Sequence, residues 1–248
     1  MASSEHSERH WEMTQHFIAG ATDDLHTHFN WQQSRYKSIS TDWLMVYRFT
    51  LLSLMFVMVA GELFFEEVQW ILVYETFWGL FGTAFMVLAV QKASYPDPYG
   101  QYQRFFKIAC YSLEISFGFN SMATILFWVV LAPKFFPTVN WHDFMQAWVA
   151  IRMILLHTIP MLASVVELVL SDVTFIHSHW KYVFATGCSY IVANYIGYKF
   201  VLHSPLYPVV DWKNPAETIL LFVVQAACMA LMYLVGVWLS QKLKRRHE

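Results

Sequence analysis

Apolar residues run along this chain in long blocks and do not alternate with polar ones. Six blocks, approximately 43–65, 68–91, 105–131, 145–170, 180–202 and 216–240, are each long enough to cross a hydrocarbon core, which takes roughly 20 helical residues. The connectors SYPDPYGQYQ (94–103), APKFFPTVNWHD (132–143) and HSPLYPVVDWKNP (203–215) are punctuated by proline, which ends helices. The connection around GELFFEEVQ is tight, so the first two spans are expected to form an antiparallel hairpin. The predicted architecture is all-α: a polytopic membrane protein with a bundle of six transmembrane helices over residues 43–240. A polar segment (1–42) precedes the bundle and a basic tail (241–248) follows it.

The charge distribution supports this count. Lys and Arg gather on the cytoplasmic side of membrane proteins. With six spans both termini share one side, and that side collects Arg9, Arg35, Lys37, Lys92, Arg104, Lys107, Lys181, Lys242, Lys244, Arg245 and Arg246, against only Lys134 and Lys213 opposite. Both termini are therefore expected inside. Composition agrees: 57% of the 248 residues are hydrophobic, 18% aromatic and 14% charged, where a soluble domain carries about a quarter charged. A net charge of −2 gives no reason to expect a nucleic-acid partner. Cys110, Cys188 and Cys228 lie far apart in apolar runs and read as small core residues. The first residues, MASSEHSERHWEMTQHF, lack the apolar core of a signal peptide and the composition of a transit peptide. Segment 1–42 shows helical periodicity around Trp11, Phe17, Ile18 and Leu25, and is expected to be a mobile tail, a surface helix or an arm docked on a partner. Endoplasmic reticulum or plasma membrane fits these features, with the mitochondrial inner membrane as the alternative.

Ionisable residues inside membrane spans are rare and mark candidate sites. They are Arg48, Glu75, Glu114, Arg152, His157, Glu167 and Lys199. Arg48 and Lys199 lie near span ends, where they can snorkel toward headgroups. Arg152 is expected to pair with Glu75 or Glu114 across helices. His157 falls mid-span, and Glu167, ten residues on, is about 15 Å further along the axis, so the partner of His157 must come from another helix. Pro160 frees the carbonyl of Leu156 and is expected to kink the helix beside the histidine. A neutral imidazole in apolar surroundings can accept a proton from a hydroxyl, although a structural histidine bonded to a neighbouring hydroxyl would leave the same sequence. The pairs His26/His28 and His177/His179 could offer imidazoles to a metal only in extended chain, and no metal or other cofactor is expected.

Residues 141–239 carry further motifs: LLHTIP followed by the glutamate of SVVEL, then HSHWKYVFATGCSYIVANYIGYKFVLHSPLYPVVDW, then LMYLVGVWL. These stretches resemble the family of multi-spanning membrane proteins that includes the androgen-induced gene product, the androgen-dependent regulator of tissue factor pathway inhibitor and the rolling-stone proteins. A histidine followed by threonine and then proline, ten residues before a glutamate, and a tyrosine-proline pair such as Tyr207-Pro208 are shared. Upstream, DWLMVYRFTLLSLMF is similar to the rolling-stone branch and VYETFWGLFGTAFMVLAV to the family's second span. The resemblance implies a threonine hydrolase of fatty-acid esters of hydroxy fatty acids, with a threonine of the first span as nucleophile and the fourth-span histidine as base. The base carries over to His157. Aligned on Trp43, the threonine position is occupied by Tyr47, and Thr50, one turn further in, is the nearest hydroxyl of the right kind. Arg152 and Asn194 are candidate oxyanion donors, and Tyr47, Glu75 and Glu114 candidate pocket residues. Membrane lipids are the expected partners of such an enzyme. The alternative function is a non-catalytic scaffold, such as an accessory subunit of a larger membrane complex whose partner contacts residues 1–42.

Overall fold

A computed structural model describes residues 29–65, 74–95, 103–203, 210 and 212–245. Six helices of 18 residues or more account for most of it: α1 (Thr41–Phe65), α2 (Glu75–Ala93), α3 (Gln103–Leu126), α5 (Phe144–Leu170), α6 (Trp180–Gly197) and α7 (Pro215–Arg245), with a four-residue α4 (Ala132–Phe135) between α3 and α5. Four membrane-crossing candidates stand out by length and apolarity: Thr41–Phe64, Phe105–Thr138, Phe144–Leu170 and Pro215–Lys244. They make the chain an integral membrane protein. The remaining two, α2 and α6, have 19 and 18 residues, near the lower limit for a span.

Burial follows an inside-out pattern. On α1 the buried positions are Leu44, Arg48, Leu51, Met55 and Glu62, at helical spacing, while Trp43, Phe49, Phe56, Val57 and Phe64 are exposed. The charged residues thus face the bundle and the aromatic ones face outward, as a lipid solvent requires. α5 does the same: His157, Pro160, Ser164 and Glu167 are buried, and Phe144, Met145 and Leu162 are exposed. α3 is the central helix, packing on α2, α5, α6 and α7, and α6 packs mainly on α7.

Helix ends have local causes. Asp143 caps α5 by accepting from the Met145 and Gln146 backbone N–H groups at 2.9 and 3.2 Å. The α3 helix passes into a π-helical turn at Phe127–Leu131, just before Pro133. Proline offers no N–H and its ring crowds the preceding turn, so the backbone widens there. By contrast α5 continues through Pro160.

The polar N-terminal segment gains structure where it is described. Residues Phe29–Ser34 form strand β1, antiparallel to β2 (Ser171–Val173), which follows α5 directly. Neither a loose tail nor a surface helix, this stretch seats Phe29 and Trp31 at 1% exposure against the bundle. The periodicity around Trp11 to Leu25, the pair His26/His28 and part of the GELFFEEVQ turn lie outside the described residues. Arg35 holds the strand in place, donating to the carbonyls of Ser171, Val173 and Ser240. Burial pushes its guanidinium below the ordinary arginine value, with Asp172 opposing the shift. These bonds gather β1, β2 and the end of α7 at one end of the bundle.

Candidate functional site

Two ion pairs set α1 against α5. Arg48 donates Nε and Nη2 to Glu167 at distances down to 2.5 Å, and Arg152 lies 3.4 Å from Glu62. The helices are therefore antiparallel, and His157, five residues after Arg152, lies level with residues near Val57. Arg48 does not snorkel. It is fully buried, and its remaining donors go to the Trp31 carbonyl, Ser94 Oγ and Ser171 Oγ, because strand β1 closes over the end where headgroups would otherwise be reached. Arg152 has Glu62 of α1 as an ion-pair partner, a carboxylate outside the expected Glu75 and Glu114. Lys199 lies over the rings of Tyr195 and Phe200, 5.8 and 5.6 Å from their centroids.

His157 meets its hydroxyl on α2. Its Nδ1 is 2.8 Å from the Met153 carbonyl and its Nε2 is 3.0 Å from Thr76 Oγ1. A carbonyl can only accept, so Nδ1 carries the proton of the neutral ring and Nε2 accepts from the Thr76 hydroxyl. The ring is 7% exposed and stacks on the fully buried Phe127, with centroids 4.0 Å apart and planes within 11°. Phe127 opens the π-helical turn, so the wide turn and the histidine share one contact. Thr124 Oγ1 donates to the His157 carbonyl at 2.5 Å. Trp128, 42% exposed, reaches Thr158 Oγ1 from the lipid-facing side at 3.4 Å. A threonine hydroxyl on an imidazole nitrogen whose other nitrogen is anchored is the arrangement general-base activation requires.

The other candidates lie elsewhere. Thr50 is exposed and donates to the Val46 carbonyl at 2.9 Å. Two residues from Arg48, it is level with the region near Val165, about 12 Å along the axis from His157. The structure does not bring Thr50 and His157 together. The Tyr47 hydroxyl is buried with no hydrogen-bond partner among the described residues. Glu75 accepts from Gln225 of α7. Glu114 accepts from the Ile176 N–H at 3.0 Å and lies 2.6 Å from His179 Nδ1. Asn194 accepts from Trp212 Nε1 at 2.9 Å and lies 3.4 Å from the Tyr190 hydroxyl, in a separate cluster. Among the described residues no group of three or more His, Cys, Asp and Glu could hold a metal.

Thr76 is not among the candidates that the sequence pattern marks, because a hydroxyl within an apolar span carries no charge to single it out; its signal is its place beside Glu75 in the first turn of α2, the helix expected to pair with the first. Comparison with family models, with curated proteins and with solved structures finds no match to this chain.

Proposed function

We propose that the protein is an intramembrane lipid-ester hydrolase in which Thr76 is the nucleophile and His157 the general base. The observation that carries this reading is the Thr76–His157 contact at 3.0 Å, with the opposite ring nitrogen anchored on Met153. Thr76 Oγ1 attacks the acyl carbonyl while His157 Nε2 takes the hydroxyl proton. The imidazolium returns that proton to the departing alkoxide, leaving an acyl-threonine ester. Water then attacks the ester, His157 accepts its proton, and the Thr76 oxygen leaves as the hydroxyl. The resemblance of LLHTIP and SVVEL to the androgen-induced and rolling-stone family supplies the substrate class, a fatty-acyl ester of a hydroxy fatty acid. In this reading all six helices cross the bilayer, with the basic end, where β1 and the C-terminal end of α7 meet, on the inner side.

The test is covalent labelling of the full-length, detergent-solubilised protein with a fluorophosphonate. Label mapping to Thr76, abolished by Thr76→Ala and His157→Gln and unchanged by Thr50→Ala, supports the hydrolase. No label on wild-type protein that unfolds cooperatively refutes it.

A second reading has its own support. The closure of β1 over the bundle, with Phe29 and Trp31 at 1% exposure, suits a non-catalytic subunit whose N-terminal arm presents a docking surface to a larger membrane complex. Deleting residues 1–28 then removes association with that complex while leaving the bundle folded.

A further inference from the structure

Proton abstraction by His157 creates a cation where the structure offers little to balance it. The ring is 7% exposed, and among the described residues neither of its nitrogens bonds a carboxylate. Glu167 is paired with Arg48, Glu62 with Arg152 and Glu114 with His179, and Glu75 accepts from Gln225. In a hydroxyl–histidine–carboxylate triad the acidic group behind Nδ1 orients the imidazole and stabilises the imidazolium. Here the Met153 carbonyl takes that place, 2.8 Å from Nδ1, and it carries no full charge.

What the imidazole has besides these two hydrogen bonds is the ring of Phe127. The centroids are 4.0 Å apart and the planes within 11°, so the phenyl presents its π-face to the imidazole. That face is the negative pole of the aromatic quadrupole, and it attracts a cation within about 6 Å of the centroid, most strongly where water is excluded. Phe127 is itself fully buried and makes T-shaped contacts with Trp128 and Phe136, at 5.2 and 6.1 Å between centroids. It opens the π-helical turn Phe127–Leu131, a local widening of a kind that recurs at functional sites. Bonds to Nδ1 and Nε2 align the imidazole along the line through its nitrogens but constrain its tilt about that line weakly. The stacked phenyl fixes the tilt, and with it the direction in which the Nε2 lone pair meets the Thr76 hydroxyl.

We propose that Phe127 is a positioning residue for His157: its π-face sets the plane of the imidazole and stabilises the imidazolium formed as Thr76 gives up its proton. The inference rests on the Thr76–His157 reading. In this step the Thr76 O–H bond breaks, Nε2 takes the proton, Nδ1 keeps its own, and the positive charge spreads over a ring that lies against Phe127.

The test is the rate of fluorophosphonate labelling at Thr76 in the full-length, detergent-solubilised protein, with Phe127 replaced in turn by phenylalanines bearing one, two and three ring fluorines. In the labelling reaction Thr76 Oγ1 bonds phosphorus, fluoride departs and the hydroxyl proton moves to Nε2, so the imidazolium forms in the assay itself. Fluorine withdraws π-density stepwise and alters the shape of the ring little. The rate is expected to fall at each step, by about tenfold or more over the series, and Phe127→Leu, which has no π-face, to be at least as slow as the trifluoro protein. The same fluorinated residues at Phe117, which packs on Phe175, leave the rate unchanged. A flat rate across the Phe127 series in a protein labelled at Thr76, or an equal fall in the Phe117 series, overturns the role of Phe127 and leaves the dyad standing. Absence of label on the wild-type protein overturns the dyad and the role of Phe127 with it. The fluorinated proteins decide the matter even if Phe127→Leu does not fold.

Discussion

Replacing Glu167 by glutamine removes one charge from the α1–α5 contact and almost no volume. The Arg48 guanidinium, 0% exposed, then keeps its bonds to the Trp31 carbonyl, Ser94 and Ser171 but loses its only carboxylate partner among the described residues. Breaking a buried pair from one side leaves an uncompensated charge and costs about 3–5 kcal/mol. Removing both charges is a different perturbation. In Arg48→Met/Glu167→Leu the desolvation of both ions disappears, and the loss reduces to the guanidinium bonds at Trp31, Ser94 and Ser171, about 1 kcal/mol each. The double variant is therefore expected to be no less stable than Glu167→Gln alone, with a coupling of about 2 kcal/mol or more in the double-mutant cycle built from Arg48→Met, Glu167→Leu and the pair. Reversible unfolding in mixed micelles by titration with a denaturing detergent, followed by circular dichroism, measures both quantities. A Glu167→Gln variant within about 1 kcal/mol of wild type, or costs that simply add, refutes the argument that Arg48 is held by charge in a closed interior.

Two further outcomes are expected. A Cβ placed on Gly187 would meet Ala226 Cβ at 2.8 Å and Ala226 Cα at 3.0 Å, so Gly187→Leu forces α6 away from α7 and costs at least about 1–3 kcal/mol in the same unfolding assay, whereas Thr186→Leu beside it is near neutral. Asn120→Ala removes the bonds of Asn120 Nδ2 to Thr83 Oγ1 at 2.7 Å and to the Pro160 carbonyl at 3.5 Å, lowering stability by about 1–2 kcal/mol and reducing fluorophosphonate labelling at Thr76, a loss that Thr50→Ala does not share.

The helices were legible because hydropathy answers to the bilayer alone: the blocks 105–131 and 145–170 reappear as α3 with its π-helical turn and as α5. Partners were not legible, because in lipid an apolar surface gives no preference for one neighbour over another, and pairing depends on how each helix is rotated and shifted. Arg48 illustrates this. Its position near a span start fits snorkelling, and only the return of residues 29–34 over that end, pinned by Arg35 to Ser171, Val173 and Ser240, makes the site closed. Glu62 lay at the edge of its apolar block, so its meeting with Arg152 could not be read from spacing. His157 needed a partner from another helix, which the sequence did establish. That the partner is Thr76 follows from the seating of α2, which the pattern of apolar residues leaves open.

The seating of α2 has a specific physical origin. The ion pairs at Arg48 and Arg152 fix α5 relative to α1, and Arg48 also donates to Ser94 Oγ, at the end of α2 far from Thr76. Nearer the Thr76–His157 pair, α2 and α5 are joined through α3. Asn120 donates to Thr83 on α2 and to the Pro160 carbonyl on α5, joining the two helices that carry the hydroxyl and the imidazole. It can do so because Gly79 leaves the space: a Cβ there would lie 2.5 Å from Asn120 Oδ1. Thr83 in turn donates to the Gly79 carbonyl at 2.7 Å, fixing the orientation in which its oxygen accepts from Asn120. Thr76 lies about one turn before Gly79 and two turns before Thr83 on the same short helix, and His157 lies three residues before Pro160, so an error in either contact is transmitted to the dyad within about two helical turns. A mid-bilayer bridge of this kind costs little where water is absent and all its donors are satisfied, and it supplies the registration that apolar packing cannot.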